Sequence, residues 1–258
     1  MMQERLKTLF FIIAPIGITA ALILLWEWAA NSGVIEASKY GQPSKIFDEL
    51  QLWLEDGSLW KHTLATLAVV VIGQLLGTVL GCALGSAMGL SKFFNAVFEP
   101  FLIFFNAMPR LILFPFFVLW LGFGDSPKII TVMLVVVTLI TVTVADGVRE
   151  TQGDLVANMR VLGASRWGMA SQVYLPSLTL RVTGASRVTM SYALQAAIAA
   201  QFVGSESGLG YLVNLGRQGF EINMVYAAIL VILVLALILD WLLTLVENRA
   251  TRWMPARR

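Results

Sequence analysis

The sequence predicts an all-α protein that crosses a membrane several times. Three observations carry this expectation. Of the 258 residues, 58% are apolar and only 13% are charged, far from the balance of a water-soluble domain. The apolar residues gather into six runs, each near the roughly 20 residues that a helix needs to span the hydrocarbon core. Charged residues fall mostly between those runs.

The spans are expected at about 9–30, 64–90, 97–121, 128–146, 182–203 and 224–246, in a single domain covering 1–258. The first follows a short segment bearing Arg5 and Lys7. Its apolar run exceeds the roughly 7–15 residues of a signal-peptide core, so a retained helix is expected. Between 31 and 62 a loop leads into a short amphipathic helix. Pro43-Ser44 supplies a start signal, and Ile46, Phe47, Leu50 and Leu54 recur at helical spacing. This helix is expected to lie on the outer face. The second span places glycines at 73, 77, 81, 85 and 89. Small residues one turn apart let a neighbouring helix approach closely in lipid.

Composition also excludes whole classes of function. The single Cys82 cannot form a disulfide within the chain or a cysteine metal cluster, and reads as a small packing residue. His62 is the only histidine, which leaves little material for a His-based metal site or a Ser-His-Asp triad. A net charge of +2 gives no reason to expect nucleic acid. No phosphate-binding G-x-x-x-x-G-K-[ST] occurs in the chain.

Lys and Arg set the expected orientation. With both termini inside, the inner segments hold twelve of the 18 cationic residues, among them the arginines at 149, 160, 166, 181 and 187. The outer segments hold Lys39, Lys45, Lys61, Lys128 and Arg217, and Arg110 falls within a span. The longest inner segment, 147–181, is polar but patterned. Leu155, Met159 and Leu162 form one apolar stripe, and Trp167, Ala170 and Val173 resume it beyond Gly163-Ala164-Ser165. Two short helices with a glycine turn fit this pattern. Leu175-Pro176 is expected to end the segment, because proline disfavours helical geometry in the residue before it.

The stretch A-N-M-R-V-L-G-A-S-R-W-G-M-A-S-Q-V-Y-L-P, Ala157 to Pro176, resembles the EAA motif of permease subunits of binding-protein-dependent ATP-binding-cassette importers. The motif's Gly and Pro correspond to Gly163 and Pro176, with Val173 and Leu175 in its ending; Ala157-Asn158-Met159 stands where Glu-Ala-Ala names it. The chain is also similar to the sulfonate/nitrate/taurine branch in P-S-K-I-F-D-E-L at 43–50, M-G-L-S-K at 88–92, M-P-R-L-I-L-F-P-F-F-V-L-W-L-G-F-G at 108–124 and S-G-L-G-Y-L at 207–212. The resemblance implies a type I importer permease fold in a bacterial inner membrane. It implies a homodimer, two ATPase subunits and a periplasmic solute-binding protein. ATP and Mg would sit on the ATPase, and this chain would bind no cofactor and act as a transport subunit, not an enzyme. The coupling contact would fall on Ala157, Met159, Leu162, Gly163, Ala164, Val173, Leu175 and Pro176.

Polar residues within spans are costly in lipid and point to a pathway or to interhelical bonds. Arg110 lies near the middle of the third span with Asn106 one turn before it, and Pro109 and Pro115 loosen the helix around it. In the fifth span Ser191 and Gln195 share a face, and Gln201 follows near the outer end. These five residues are the candidate pathway lining for a small anionic or polar solute. A proton- or sodium-driven carrier is the competing class. Such carriers keep carboxylates near the midplane and often show internal repeats. Here the acids sit at span ends or in loops, with Asp240 the sole exception and near the cytoplasmic end of its span, and the two halves share no obvious repeat.

Overall fold

The computed structural model describes the backbone of residues 2–151 and 154–250, and side chains from 14 onward apart from those at 110, 154, 155, 157, 160, 166 and 250. In chain order come α1 (Met2–Asn31), a one-turn α2 (Ala37–Tyr40), α3 (Pro43–Glu55), α4 (Ser58–Leu90), α5 (Lys92–Ala107) and a 3-10 turn (Arg110–Leu113). Then follow α6 (Phe114–Leu121), α7 (Asp125–Thr151), α8 (Asp154–Val161), α9 (Arg166–Met169) and a π-helical turn (Ala170–Tyr174). The chain continues through α10 (Leu175–Gly204), α11 (Leu209–Gln218) and α12 (Ile222–Ala250).

The central contact joins α4 to α7. A Cβ built on Gly73 would lie 2.5 Å from Val132 Cγ1; on Gly77, 2.6 Å from Val136 Cβ; and on Gly81, 2.8 Å from Ile140 Cβ. Gly85 and Gly89 repeat the pattern against Val144 and Val148. One helix presents a groove without side chains, and the other fills it with a ridge of β-branched residues held in few rotamers. Val132, Val136, Ile140 and Val144 are wholly buried there.

Both series climb by four residues together, so α4 and α7 run parallel. Parallel neighbours require the chain between them to return across the same thickness, and α5 with α6 makes that return. This third span was expected over 97–121, with its helix loosened around Pro109 and Pro115. The chain there bends by 89° between Lys92–Ala107 and Leu111–Leu121. Pro109 lacks an N–H and forces Met108 into an extended conformation, φ −84° and ψ 138°. Pro115 sits in the first turn of α6, where its missing donor costs nothing.

Among the described residues four helices are long and apolar enough to cross a membrane: Ala14–Asn31, Ser58–Leu90, Asp125–Thr151 and Ile222–Arg249, or five counting the bent pair as one. The expected span at 182–203 lies within α10, which falls short of that apolarity. Position accounts for the difference. Helix α10 packs against α4, α7, α11 and α12, so its Thr189 and Gln201 are buried among protein partners instead of facing lipid.

Contacts at the two ends fix the remaining directions. Gly147 of α7 abuts Arg181 of α10, while Lys128 donates to Ser205 Oγ at 2.9 Å; α10 is therefore antiparallel to α7. Helix α12 reverses again, with Asp240 beside Arg187. At the end shared by Lys128 and Ser205, α1 is clasped to the chain after it. Trp26 Nε1 donates to the Gly41 carbonyl at 3.2 Å and its ring meets Tyr226 edge-on. The Glu27 carboxylate accepts from Gln42 Nε2 and from the Ser44 N–H at the start of α3. Along α3 the buried face is Ile46 and Trp53 with Leu50 packed beside them. Phe47 and Leu54, expected on the same stripe, are exposed. Between α3 and α4, Asp56 accepts from the N–H and hydroxyl of Ser58. The backbone bond leads in holding its pKa below the ordinary carboxylate value.

The interlock predicts an inverted glycine effect. Gly→Ala inside an exposed helix normally stabilises by about 1 kcal/mol. Gly77→Ala should instead lower the melting temperature of the purified protein, by about 1–3 kcal/mol of overpacking. Gly17→Ala, where a Cβ meets nothing within 4 Å, should not. Equal melting temperatures for the two variants would contradict the interlock.

Candidate functional site

The segment after α7 forms a turn with defined chemistry. Helix α8 ends in a Schellman cap: the Ala164 N–H donates to the Met159 carbonyl at 3.0 Å across Gly163, whose φ is +77°. That left-handed conformation suits glycine, and a Cβ there would meet nothing within 4 Å. Ser165 then accepts from the Gly168 N–H at 3.1 Å and opens α9. The helix does not stop at Leu175-Pro176 as expected. A π-helical turn over Ala170–Tyr174 leads directly into α10, with Pro176 in its first turn. The wider turn accommodates the proline ring and its missing donor without a break. Arg166 to Gly204 is thus one continuous helical run.

The apolar stripe of this segment divides into two faces. Val156 and Val173 are buried, and Met159 is half-buried. Val161, Leu162 and Trp167 stand 88%, 79% and 81% exposed, and Leu175 is exposed as well. Ala164 is half-buried at the turn. The side chains of Leu155 and Ala157 lie outside the described residues. Arg181 holds the segment's base to α7 through Glu150.

Within the spans, a cavity of about 370 Å³ is bounded by the broken third span, α7 and α10. Asn106, Met108, Tyr192 and Gln195 are among its lining residues. The Arg110 side chain, expected beside Asn106, lies outside the described residues; its backbone opens the 3-10 turn that follows Pro109. A second cavity, about 320 Å³, lies between α10 and α12. Ser191 and Gln195 line it, and Arg187 and Asp240 close one end. Gln195 lines both cavities, sharing the surface of the first with Asn106 and that of the second with Ser191. Two contributors escaped the sequence reading. Tyr192 carries no signal in the sequence beyond its place in a span, and Arg187 falls among the cations of the inner segments. The signal for Arg187 was available: it falls within the run 182–203, where an unpaired charge is costly, and Asp240 was the one acid placed to pair with it.

Gln201 does not join this surface. It is fully buried at the other end of the bundle, where its Oε1 accepts from Thr66 Oγ1 at 2.9 Å and from the Gly210 N–H at 3.2 Å. Thr66 also accepts from the Leu209 N–H, and His62 Nδ1 from the Gly208 N–H. Bonds to Nδ1 and the stacked Tyr211 ring give the lone histidine a structural place. Gly208, at φ +105°, passes so close to Gln201 that a Cβ would lie 2.3 Å from its amide carbon. The S-G-L-G turn is therefore stitched to α4 and α10, and Gln201 is the knot.

Comparison with known proteins agrees with this architecture. The family model described as "Binding-protein-dependent transport system inner membrane component" matches residues 77–252. The chain is 26% identical over 243 residues to the taurine transport system permease protein TauC of Escherichia coli, covering 92% of this chain and 88% of that one. It is 27% identical to a putative aliphatic sulfonates transport permease protein SsuC of Bacillus subtilis, over 91% of this chain and 85% of that one. It is 30% identical to the riboflavin transport system permease protein RibX of Chloroflexus aurantiacus, over 90% and 87%. Among solved structures, an inward-facing conformation of the MetNI methionine ABC transporter superposes with a TM-score of 0.63 at 22% identity, covering 80% of this chain and 98% of that chain. That likeness supports the type I importer permease fold. The permease relatives are transport components and not enzymes, and the family implies an ATPase and a binding protein as partners. The chain belongs to the family of binding-protein-dependent transport system inner membrane components, and is a transmembrane permease subunit of an ATP-binding-cassette importer.

Proposed function

We propose that two copies of this permease enclose a translocation pathway for a small anion of the sulfonate class, in a complex with two ATPase subunits that bind ATP and Mg. The exposed apolar edge of the 147–181 segment carries this reading. Val161, Leu162 and Trp167 project from a capped turn into open space. An apolar edge of this kind has no lipid to face beyond the ends of the spans. A cleft on an ATPase would bury it, the helix-in-groove mode of recognition. Because the helix is unbroken from Arg166 to Gly204, movement of the docked end is carried into the pathway wall with no hinge between. The sulfonate assignment draws on the relatives TauC and SsuC; RibX is the reason to state it as a class and not as one compound.

In this arrangement Asn106, Arg110, Ser191 and Gln195 line the pathway, and Gln201 braces its outer rim. Both termini and the 147–181 segment face the cytoplasm, where most of the Lys and Arg lie. The S-G-L-G turn and α3 face the binding protein.

Two measurements test the reading. Gly163→Asp places a side chain at φ +77°, a conformation Asp and Asn tolerate better than other residues, and adds a charge to the docking edge. Co-purification of the ATPase should fall on the order of tenfold or more, while the permease still inserts. Gly163→Asn, which tolerates the left-handed conformation and stays neutral, should retain more. Full ATPase recovery with Gly163→Asp would remove this turn from the contact. For orientation, Arg166→Cys in a Cys82→Ala background should react with an impermeant maleimide only in inside-out vesicles. Reaction in intact cells would reverse the topology.

A further inference from the structure

We infer that Arg187 is an anion-receiving station on the wall of the pathway, and that Asp240 holds it neutralised until a solute anion displaces the carboxylate. The inference rests on the permease reading above and adds a residue, a charge and a mode of regulation to it. Arg187 lies in α10 (Leu175–Gly204), six residues beyond Arg181, and Asp240 in the C-terminal half of α12 (Ile222–Ala250). The pair is bidentate: Nε donates to Oδ1 at 2.6 Å and Nη2 to Oδ2 at 2.8 Å. Such forked geometry fixes the guanidinium sideways across to α12, so it is not reaching for the membrane surface.

Yet the chain itself does not bury the pair. Both side chains are 45% exposed. A charged pair on two spanning helices does not face hydrocarbon; it meets water, headgroups or protein. The surroundings favour water in a solute path. Arg187, Ser191 and Gln195 recur every four residues and form one polar track along α10. Gln195 carries the track into the neighbouring cavity, where Asn106 and Tyr192 add further hydrogen-bond donors. Asp240 is the one acid among the residues lining the two cavities, and it is already committed to Arg187. The track thus carries amide, hydroxyl and phenol groups, the Ser191 hydroxyl donating to the Arg187 carbonyl at 3.4 Å, and one cation whose fork fits two oxygens of a sulfonate as well as it fits a carboxylate. Exchange of the carboxylate for the solute's oxyanion keeps the guanidinium paired throughout. The released Asp240 carries its charge into the widened aqueous path, and re-pairing expels the solute inward.

The test uses the complete complex of permease, ATPase and binding protein, with Ser191→Cys in a Cys82→Ala background. The probes are two methanethiosulfonates of similar size, one bearing a sulfonate and one a trimethylammonium group. Rates are normalised to those of a free thiol. Position 191 should react with both water-soluble reagents, and Asp240→Asn should raise the sulfonate-to-ammonium ratio on the order of tenfold by unmasking one cation. The neutral double variant, Arg187→Gln with Asp240→Asn, should return the ratio to that of the free thiol; it leaves no orphaned charge, so it is the variant least prone to misassembly. Labelling of position 191 by a lipid-soluble maleimide alone would put this face against lipid and overturn the proposal. Water access with a ratio that neither variant moves would reduce the pair to a structural tie and overturn the anion station. Failure of the Ser191→Cys parent to co-purify with the ATPase would count against the permease assembly on which both readings stand.

Discussion

The close approach of α4 and α7 organises everything around it. Five glycines against five β-branched residues, one turn apart on each helix, leave a single register available. A shift by one residue would drive a Val or Ile side chain into helix backbone. Because that register is parallel, the chain between must recross the membrane, which puts the proline-broken third span in front of α7. The same pair gives α10 a fixed surface to lie against, so its polar residues fall on two faces. Thr189 and Gln201 turn inward to bond with α4, Thr189 through Gln74 at 2.8 Å. Arg187, Ser191 and Gln195 turn outward.

Helix α10 thereby joins three functions in one rod. At one end it continues through the π-helical turn to Trp167 of the exposed apolar edge, one turn of chain from Leu162. In the middle it supplies the polar track of the two cavities. At the far end Gln201 ties it to the S-G-L-G turn. A π-turn before Pro176 is what preserves the rod: an ordinary helical turn would leave the Gln172 carbonyl clashing with the proline ring, and the chain would hinge there. Rigidity along α10 and closeness between α4 and α7 are complementary. One transmits displacement, and the other gives it a stationary reference.

Much of this was legible in the sequence. The glycine ladder announced a close helix pair, although not its partner, since β-branched residues at four-residue spacing are common in apolar spans. The Gly163 turn followed from local chemistry, because a glycine after an amphipathic stretch and a serine before the next helix are readable caps. The break at Met108 was only partly legible and the continuity at Leu175 was misjudged, both from the same cue. Each has proline after a large apolar residue, and only the space available in the surrounding bundle decides whether the helix kinks or widens. Gln201 and Arg187 could not be placed fully from sequence for a related reason. Hydropathy records that a polar residue sits in a span, but whether it faces a helix or an open path depends on neighbours distant in sequence: Thr66 and Gly210 for the first, Asp240 for the second.

The most direct test of the account is solute uptake by proteoliposomes carrying this permease with its ATPase, supplied with the binding protein outside and ATP inside. The account predicts uptake that requires all three components and hydrolysable ATP, and that persists when proton and sodium gradients are collapsed. Uptake by the permease alone, driven by either ion gradient and indifferent to ATP, would contradict it.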